Sequence, residues 1–174
     1  MTKPWFFACF FVVFWSQGAI GEVTSGPRPN KAGDLALVVV ASDSPEYIKE
    51  LLSTPSNHGV TIKRIRVVKP EQLIVASFLV SGMSADEKGN YSFTVSMYVL
   101  GPDGKPIFGE RNYAKSSGKL PEKPTFIMAD PALDLILEDS DPEGDYSIVA
   151  RVKDTVSGAT ADDAYVLKLI KSEL

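Results

Sequence analysis

The sequence predicts a mainly β protein, an antiparallel β-sandwich with one short helix near the N-terminus. Three observations carry that prediction. From Gly59 onward the apolar residues recur almost entirely with period two, the spacing that puts alternate side chains on one face of a strand. The runs are short and separated by Gly, Pro and Asp turn formers, as in sandwiches. Only one stretch, after Ser44, has helical spacing. A competing α/β reading starts from residues 35–41 and that helix, but no second helical pattern of comparable strength follows, which ranks it lower.

Taken in order, residues 35–41 (LALVVVA) form a β-branched apolar run bounded by turn formers, a buried strand. Ser44 then caps a helix, Pro45 fits its first position and Glu46 complements its dipole. Tyr47, Ile48, Leu51 and Leu52 give it an apolar stripe, and Pro55 closes it. Val60, Ile62, Ile65 and Val67 read as one strand, out of phase around Lys63 and Arg64 as at a bulge. Residues 73–80 (LIVASFLV) are apolar at both alternations, so this strand belongs at the centre of a sheet. Tyr91, Phe93, Val95, Met97 and Val99 alternate with Ser92, Thr94 and Ser96, the pattern of a half-buried strand. Asp103-Gly104 is placed for a tight turn with positive φ.

Residues 111–124 are basic and polar without periodicity and read as a long loop. Residues 126–128 and the row Leu133, Leu135, Leu137 suggest two short strands on either side of Asp130-Pro131. After a turn at residues 139–145 (DSDPEGD), Tyr146, Ile148, Ala150 and Val152 form one strand. Tyr165, Leu167 and Leu169 form the last, beyond a turn at Ser157-Gly158. The row from Tyr91 to Val99 and the row from Tyr146 to Val152 are expected to point into one core.

The N-terminus carries an address. Lys3 precedes an unbroken apolar run, residues 5–15 (WFFACFFVVFW), and small or polar residues follow through Ser16, Gly18, Ala19 and Gly21. That layout reads as a secretory signal peptide over residues 1–21, since a membrane-spanning helix needs roughly 20 apolar residues. Residues 22–33, with two prolines and two glycines, read as a flexible leader, and residues 34–174 as a single domain. Cleavage after Gly21, with Gly18 as the alternative site, removes Lys3 and no acid, taking 18 basic residues to 17 against 22 acidic ones and the net charge from −4 to −5. A mildly acidic chain argues against nucleic acid or an anionic membrane as the main partner. The one cysteine, Cys9, falls inside the apolar run, leaving the mature chain without thiol or disulfide. A cysteine-free exported domain fits a bacterial periplasm or exterior, where a full core replaces covalent staples.

Chemistry is scarce in the sequence. Nucleophilic catalysis lacks a mature cysteine and a G-x-S-x-G elbow, and the single histidine, His58, sits in a loop. One His and no mature Cys leave no ordinary zinc or copper set, and the nucleotide-binding glycine motifs are missing. No cofactor is expected. Asp139, Asp141, Glu143 and Asp145 are the candidate metal ligands: oxygen donors alternate around Gly144 as in the first half of a calcium loop. The position where an EF-hand places its bidentate glutamate is Ala150, inside a strand, so an EF-hand is excluded and the bland reading is a Pro-Gly turn. Asp162 and Asp163 interrupt the last strand and read as an edge device against aggregation. Lys63, Arg64 and Arg66, and the series Lys105, Arg111, Lys115, Lys119, Lys123, suit an acidic partner, with solvated lysines as the default reading. The terminal KSEL lies one residue from a retention signal and reads as coincidence.

The phrases DLALVVVASDSPEYIKELLSTP, FLVSGMSADEKGNYSFTVSMYVLGPDGKPI and MADPALDLILEDSDPEGDYSIVARVKDTVSG resemble uncharacterised exported bacterial proteins with an Ig-like or fibronectin-like β-sandwich. The resemblance spans residues 34 to about 170, most of the mature chain. It implies export and an Ig-like/fibronectin-like sandwich fold, and brings no activity and no catalytic residues. The leading functional expectation is therefore an exported, non-enzymatic module that binds a protein or a cell-envelope component. It is not membrane-spanning after signal cleavage. A Ca²⁺- or small-ligand-binding periplasmic protein, using loops at one end of the sandwich, is the alternative, and a carboxylate-only hydrolase ranks last.

Overall fold

The computed structural model describes residues 28–53 and 60–171 of the 174-residue chain. The signal segment, the first half of the leader, His58 and the last three residues lie outside the described residues. Two sheets face each other across one core, as expected, with a single short helix on the outside among the described residues. The first sheet is built on β3 (Leu73–Ser81), which pairs antiparallel with β1 (Ala36–Ser42) on one side. On its other side it pairs in succession with β6 (Ile127–Met128) and β7 (Leu133–Ile136). The second sheet has five strands, beginning at β2 (Val67–Val68) and β9 (Thr160–Leu169). It continues through β8 (Gly144–Asp154) and β4 (Asn90–Leu100) to β5 (Pro106–Lys119). All pairs are antiparallel except β2 with β9, which is parallel.

This is an immunoglobulin-like arrangement. β1, β3 and β7 take the places of the first, second and fifth strands of that fold, facing β4, β8 and β9 in the places of the third, sixth and seventh. Tyr146, at the start of β8, is buried and donates its hydroxyl to the Pro142 carbonyl at 2.8 Å. A tyrosine bonded back to the backbone a few residues upstream of the sixth strand is the tyrosine corner of such sandwiches.

Phase along each strand explains the core. β4 alternates buried Tyr91, Phe93, Val95, Met97 and Val99 with half-exposed or exposed neighbours, and β8 does the same with Tyr146, Ile148, Ala150 and Val152. These two rows share one cluster with the inner row of β3 (Ile74, Ala76, Phe78, Val80), as the sequence pattern predicts. β3 is buried on both faces. Its outer row, Val75 and Leu79, is covered by α1 (Glu46–Ser53) through Tyr47, Ile48 and Leu51, with Ile62, Phe126 and Met128. Ser44 caps that helix as expected, its Oγ accepting the Glu46 N–H at 3.2 Å.

Two expectations need correction. Residues 111–124 are not one long loop, because β5 runs from Pro106 to Lys119 along β4. β5 is an edge strand exposed on both faces over its first half, so polar residues and glycines replace the apolar alternation. The pairing also skips between Val95 and Met97: Asn112, at φ 53°, gives its N–H to Ser96 Oγ in a bulge that erases period two. Residues 60–66 are not a strand either; only Val67–Val68 pair in the sheet. Ile62 packs on the outside of the first sheet and Ile65 against the central core, so the phase change at Lys63 and Arg64 marks a crossing between layers. The leader's described end is tied down: Asn30 N–H reaches Ser81 Oγ at 3.0 Å and Gly33 N–H reaches the Gly82 carbonyl at 2.9 Å. Gly82 must be glycine, since a Cβ there would stand 2.1 Å from the Asp34 carbonyl oxygen.

One buried carboxylate locks two connections together. Asp154, at the end of β8, accepts the N–H groups of Val156 (2.8 Å) and Ser157 (3.3 Å) in the β8–β9 turn. It also accepts that of Ser84 (2.8 Å) beyond β3. Burial works against its charge, but those N–H groups outweigh burial and hold its pKa below the ordinary aspartate value. A folded pKa below the unfolded one means stability present above the unfolded value, near pH 4, and lost as pH falls through the folded value. Asp154→Ala orphans these donors and is expected to cost about 1–3 kcal/mol in urea unfolding at pH 7. The difference from the native chain should shrink below pH 4, and a pH-independent difference would contradict this role. Phe93→Ala, a large-to-small change at a fully buried position, is expected to cost about 3–5 kcal/mol by the same measurement. A loss under about 1 kcal/mol would place Phe93 at the surface.

Candidate functional site

The two sheets differ on their outer faces. α1 and its neighbours cover the first, whereas among the described residues no element covers the outer face of β5-β4-β8-β9. Register gives this face its layout. At one end, Lys119 stands opposite Asn90, and the next rungs run Ser117–Ser92 and Lys115–Thr94–Lys153–Thr160. Ser96–Arg151–Asp162 follows, beside the Arg111 bulge, then Gly109–Tyr98–Val149–Ala164. Leu100–Ser147–Val166 and Asp145–Lys168 complete it. A hydroxyl-and-cation half thus adjoins an apolar half.

Tyr98 anchors the apolar half. Its ring lies across Gly109, where a Cβ would come within 2.1 Å of Tyr98 Cδ1, and it is still 39% exposed. Ser96, Tyr98, Arg111, Val149, Arg151 and Asp162 line an open groove of about 670 Å³. Arg151 is held to Asp162 by two bonds, Nε–Oδ1 at 2.6 Å and Nη2–Oδ2 at 2.9 Å. That pairing raises the guanidinium pKa and lowers the carboxyl's, so both stay charged.

The acidic pair of the last strand therefore divides between two faces. Asp162 points outward to Arg151, while Asp163 lies in the inward row and accepts the Val39 N–H of β1 at 2.7 Å. Its carboxylate joins the edges of the two sheets as well as interrupting an edge. Nearby, Tyr165 donates to the Ile65 carbonyl at 2.7 Å, and the Arg66 guanidinium sits 3.9 Å above its ring. Lys63 pairs with Asp43 at 3.0 Å and Lys105 with Asp103 at 2.9 Å. Of the cations singled out in the sequence, Arg111 and Lys115 lie on the outer face, while Lys119 at its end gives its ammonium to the Lys88 carbonyl.

The four candidate metal ligands hold the turn ahead of β8 in different ways. Asp141 Oδ2 accepts the Glu138 N–H at 2.7 Å, and Glu143 Oε1 accepts the Lys171 N–H. Asp139 offers its backbone carbonyl to Lys171 Nζ at 2.8 Å, and Asp145 lies on the outer face opposite Lys168. Among the described residues, no three acidic or histidine side chains gather as a metal cage. A second cavity, about 330 Å³, lies at one end of the sandwich between Asn30–Ala32, Met83 and residues 120–125. The outer face escaped sequence reading because its cations come from β5, read as a loop, and from the polar phase of β8.

No protein-family model and no curated protein sequence matches the chain. Among solved structures, it is similar to the CARDB domain of the PF1109 protein from Pyrococcus furiosus, crystallised in complex with di-metal ions. Identity is 14% and the TM-score 0.40, over 81% of this chain and 93% of that one.

The turn yields a direct prediction. Thermal melts in millimolar calcium and in chelator are expected to coincide once ionic strength is matched, since two of the four carboxylates already accept backbone N–H groups. Calcium at about 100 times its dissociation constant would add roughly 2.7 kcal/mol. A rise of several degrees that vanishes in Asp139→Asn/Asp141→Asn would establish a calcium site.

Proposed function

We propose that this chain is an exported, non-enzymatic β-sandwich module whose outer β5-β4-β8-β9 face binds a protein component of the cell envelope. The observation that carries the reading is the uncovered apolar half of that face, where Tyr98, Val149, Ala164 and Val166 lie side by side on the two layers next to Arg151. Tyr98 and Val166 are 39% and 41% exposed. An exposed aromatic on a rigid sheet, ringed by charged side chains, is the composition of a protein-binding patch, apolar at its centre and polar at its rim. Export rests on residues 1–21, and the mature chain begins at Glu22. Among the described residues, no helix is long and apolar enough to cross a membrane.

Site-specific photocrosslinking in the native host tests this reading. A photoreactive residue in place of Tyr98 is expected to give one discrete protein adduct. The same residue in place of Leu52, 71% exposed on the helix side, is expected to give none. The crosslinked chain should have the mass of a product starting at Glu22. Equal labelling from both positions, no adduct at position 98, or retention of residues 1–21 in exported material would contradict it.

A further inference from the structure

We infer that the partner presents an acidic segment, whose carboxylates meet the cationic half of the outer face while an apolar side chain seats against Tyr98. This deepens the proposed binding role and rests on it. The cationic half carries Arg111, Lys115, Arg151 and Lys153, with Asp162 the one acid in its rungs. Asp162 is consumed by Arg151. The ion pairs among the described residues are Lys63–Asp43, Lys105–Asp103 and Arg151–Asp162. None of them neutralises Arg111, Lys115 or Lys153.

The sign matters because the whole chain has net charge −4. Cations gathered on one face of an acidic protein are not a reflection of composition. Lys115 and Lys153 lie on strands β5 and β8 with Thr94 of β4 between them. Neighbouring strands lie roughly 4.8 Å apart, so these two backbones are about 10 Å apart, close to the screening length at physiological salt. The free protein gains nothing from placing like charges there, whereas a partner carboxylate between them is attracted by both.

Three features select an acidic protein over other polyanions. The face offers a single aromatic, Tyr98, where single-stranded nucleic acid needs a series of stacking platforms. Asp145 and the negative remainder of the chain repel a long uniform polyanion beyond the patch. The apolar rungs next to the cations call for an apolar side chain beside the acids, which a peptide supplies.

The test uses the mature chain and a short fluorescent peptide rich in Glu and Asp with one Tyr and one Leu. Its controls are the same peptide with Gln for every acid, an oligonucleotide of equal charge, and phosphatidylglycerol vesicles. The acidic peptide is expected to bind, and more weakly as salt rises. Affinity is expected to fall at least about tenfold in Arg111→Glu/Lys115→Glu/Lys153→Glu at unchanged melting temperature, and also in Tyr98→Ser. Equal binding of the Gln peptide, with no effect of the charge reversals, overturns the acidic partner but leaves the binding face standing. No binding of the acidic peptide, or tighter binding of the oligonucleotide or vesicles, overturns the acidic partner as well. The crosslinking experiment judges the binding face separately.

Discussion

Two-sided burial of β3 is the constraint on which the rest of the molecule depends. Its inner row of Ile74, Ala76, Phe78 and Val80 fills the sandwich, and its outer row would face water without a cover. Burying a side chain the size of valine or leucine is worth roughly 1.5–3 kcal/mol, so Val75 and Leu79 reward any element that lies over them. α1 is that element. Eight residues are too few for a helix to hold alone in water, so α1 exists because β3 offers it a surface. The one polar residue under it, Ser77, is matched by the Tyr47 hydroxyl at 2.7 Å, and burial raises that phenol's pKa. Sequence pattern, helix and sheet are a single solution.

The consequence falls on the other sheet. With its cover placed over β3, the described chain leaves β5-β4-β8-β9 open on the outside. Edges are handled more thoroughly than faces. Along β1, the Ala41 carbonyl accepts the Ile65 N–H at 3.1 Å and Val39 N–H is taken by Asp163. On β5, Lys115 exchanges two backbone bonds with Asp130. These ties close the sandwich laterally and hold the rungs of the outer face in register, so its side chains stand on a rigid support. A site on rigid strands loses little order when a partner docks.

What the sequence made legible follows from where each strand sits. β3, β4 and β8 each bury a row of apolar residues and β9 buries Tyr165, Leu167 and Leu169, so period two was written plainly, and the helix start was spelled out by Ser44, Pro45 and Glu46. β5 was invisible because an edge strand exposed on both sides has no apolar phase to show, and its bulge at Asn112 breaks what alternation remains. Residues 60–66 misled for the opposite reason: their apolar residues serve two layers in turn and mimic alternation. The DSDPEGD turn could be read as a turn, but the return of the Tyr146 hydroxyl to Pro142 needs coordinates. The outer face was legible only in separate pieces, the polar row of β4 and the cations Arg111 and Lys115, and not as one surface. Lys115 and Lys153 are 38 positions apart in the chain and meet only through the β5-β4-β8 register.

The asymmetry between the two outer faces is most directly measured by one isosteric change on each. Threonine in place of valine keeps the shape and adds a hydroxyl, so no cavity confuses the comparison. Val75 is 2% exposed beneath α1, and Val166 is 41% exposed on the opposite face. In urea unfolding, Val75→Thr is expected to cost about 1–3 kcal/mol for burying a hydroxyl. Val166→Thr is expected to stay within about 0.5 kcal/mol of the native chain. Equal costs at the two positions, or a larger cost at Val166, would contradict a molecule that covers one sheet and presents the other.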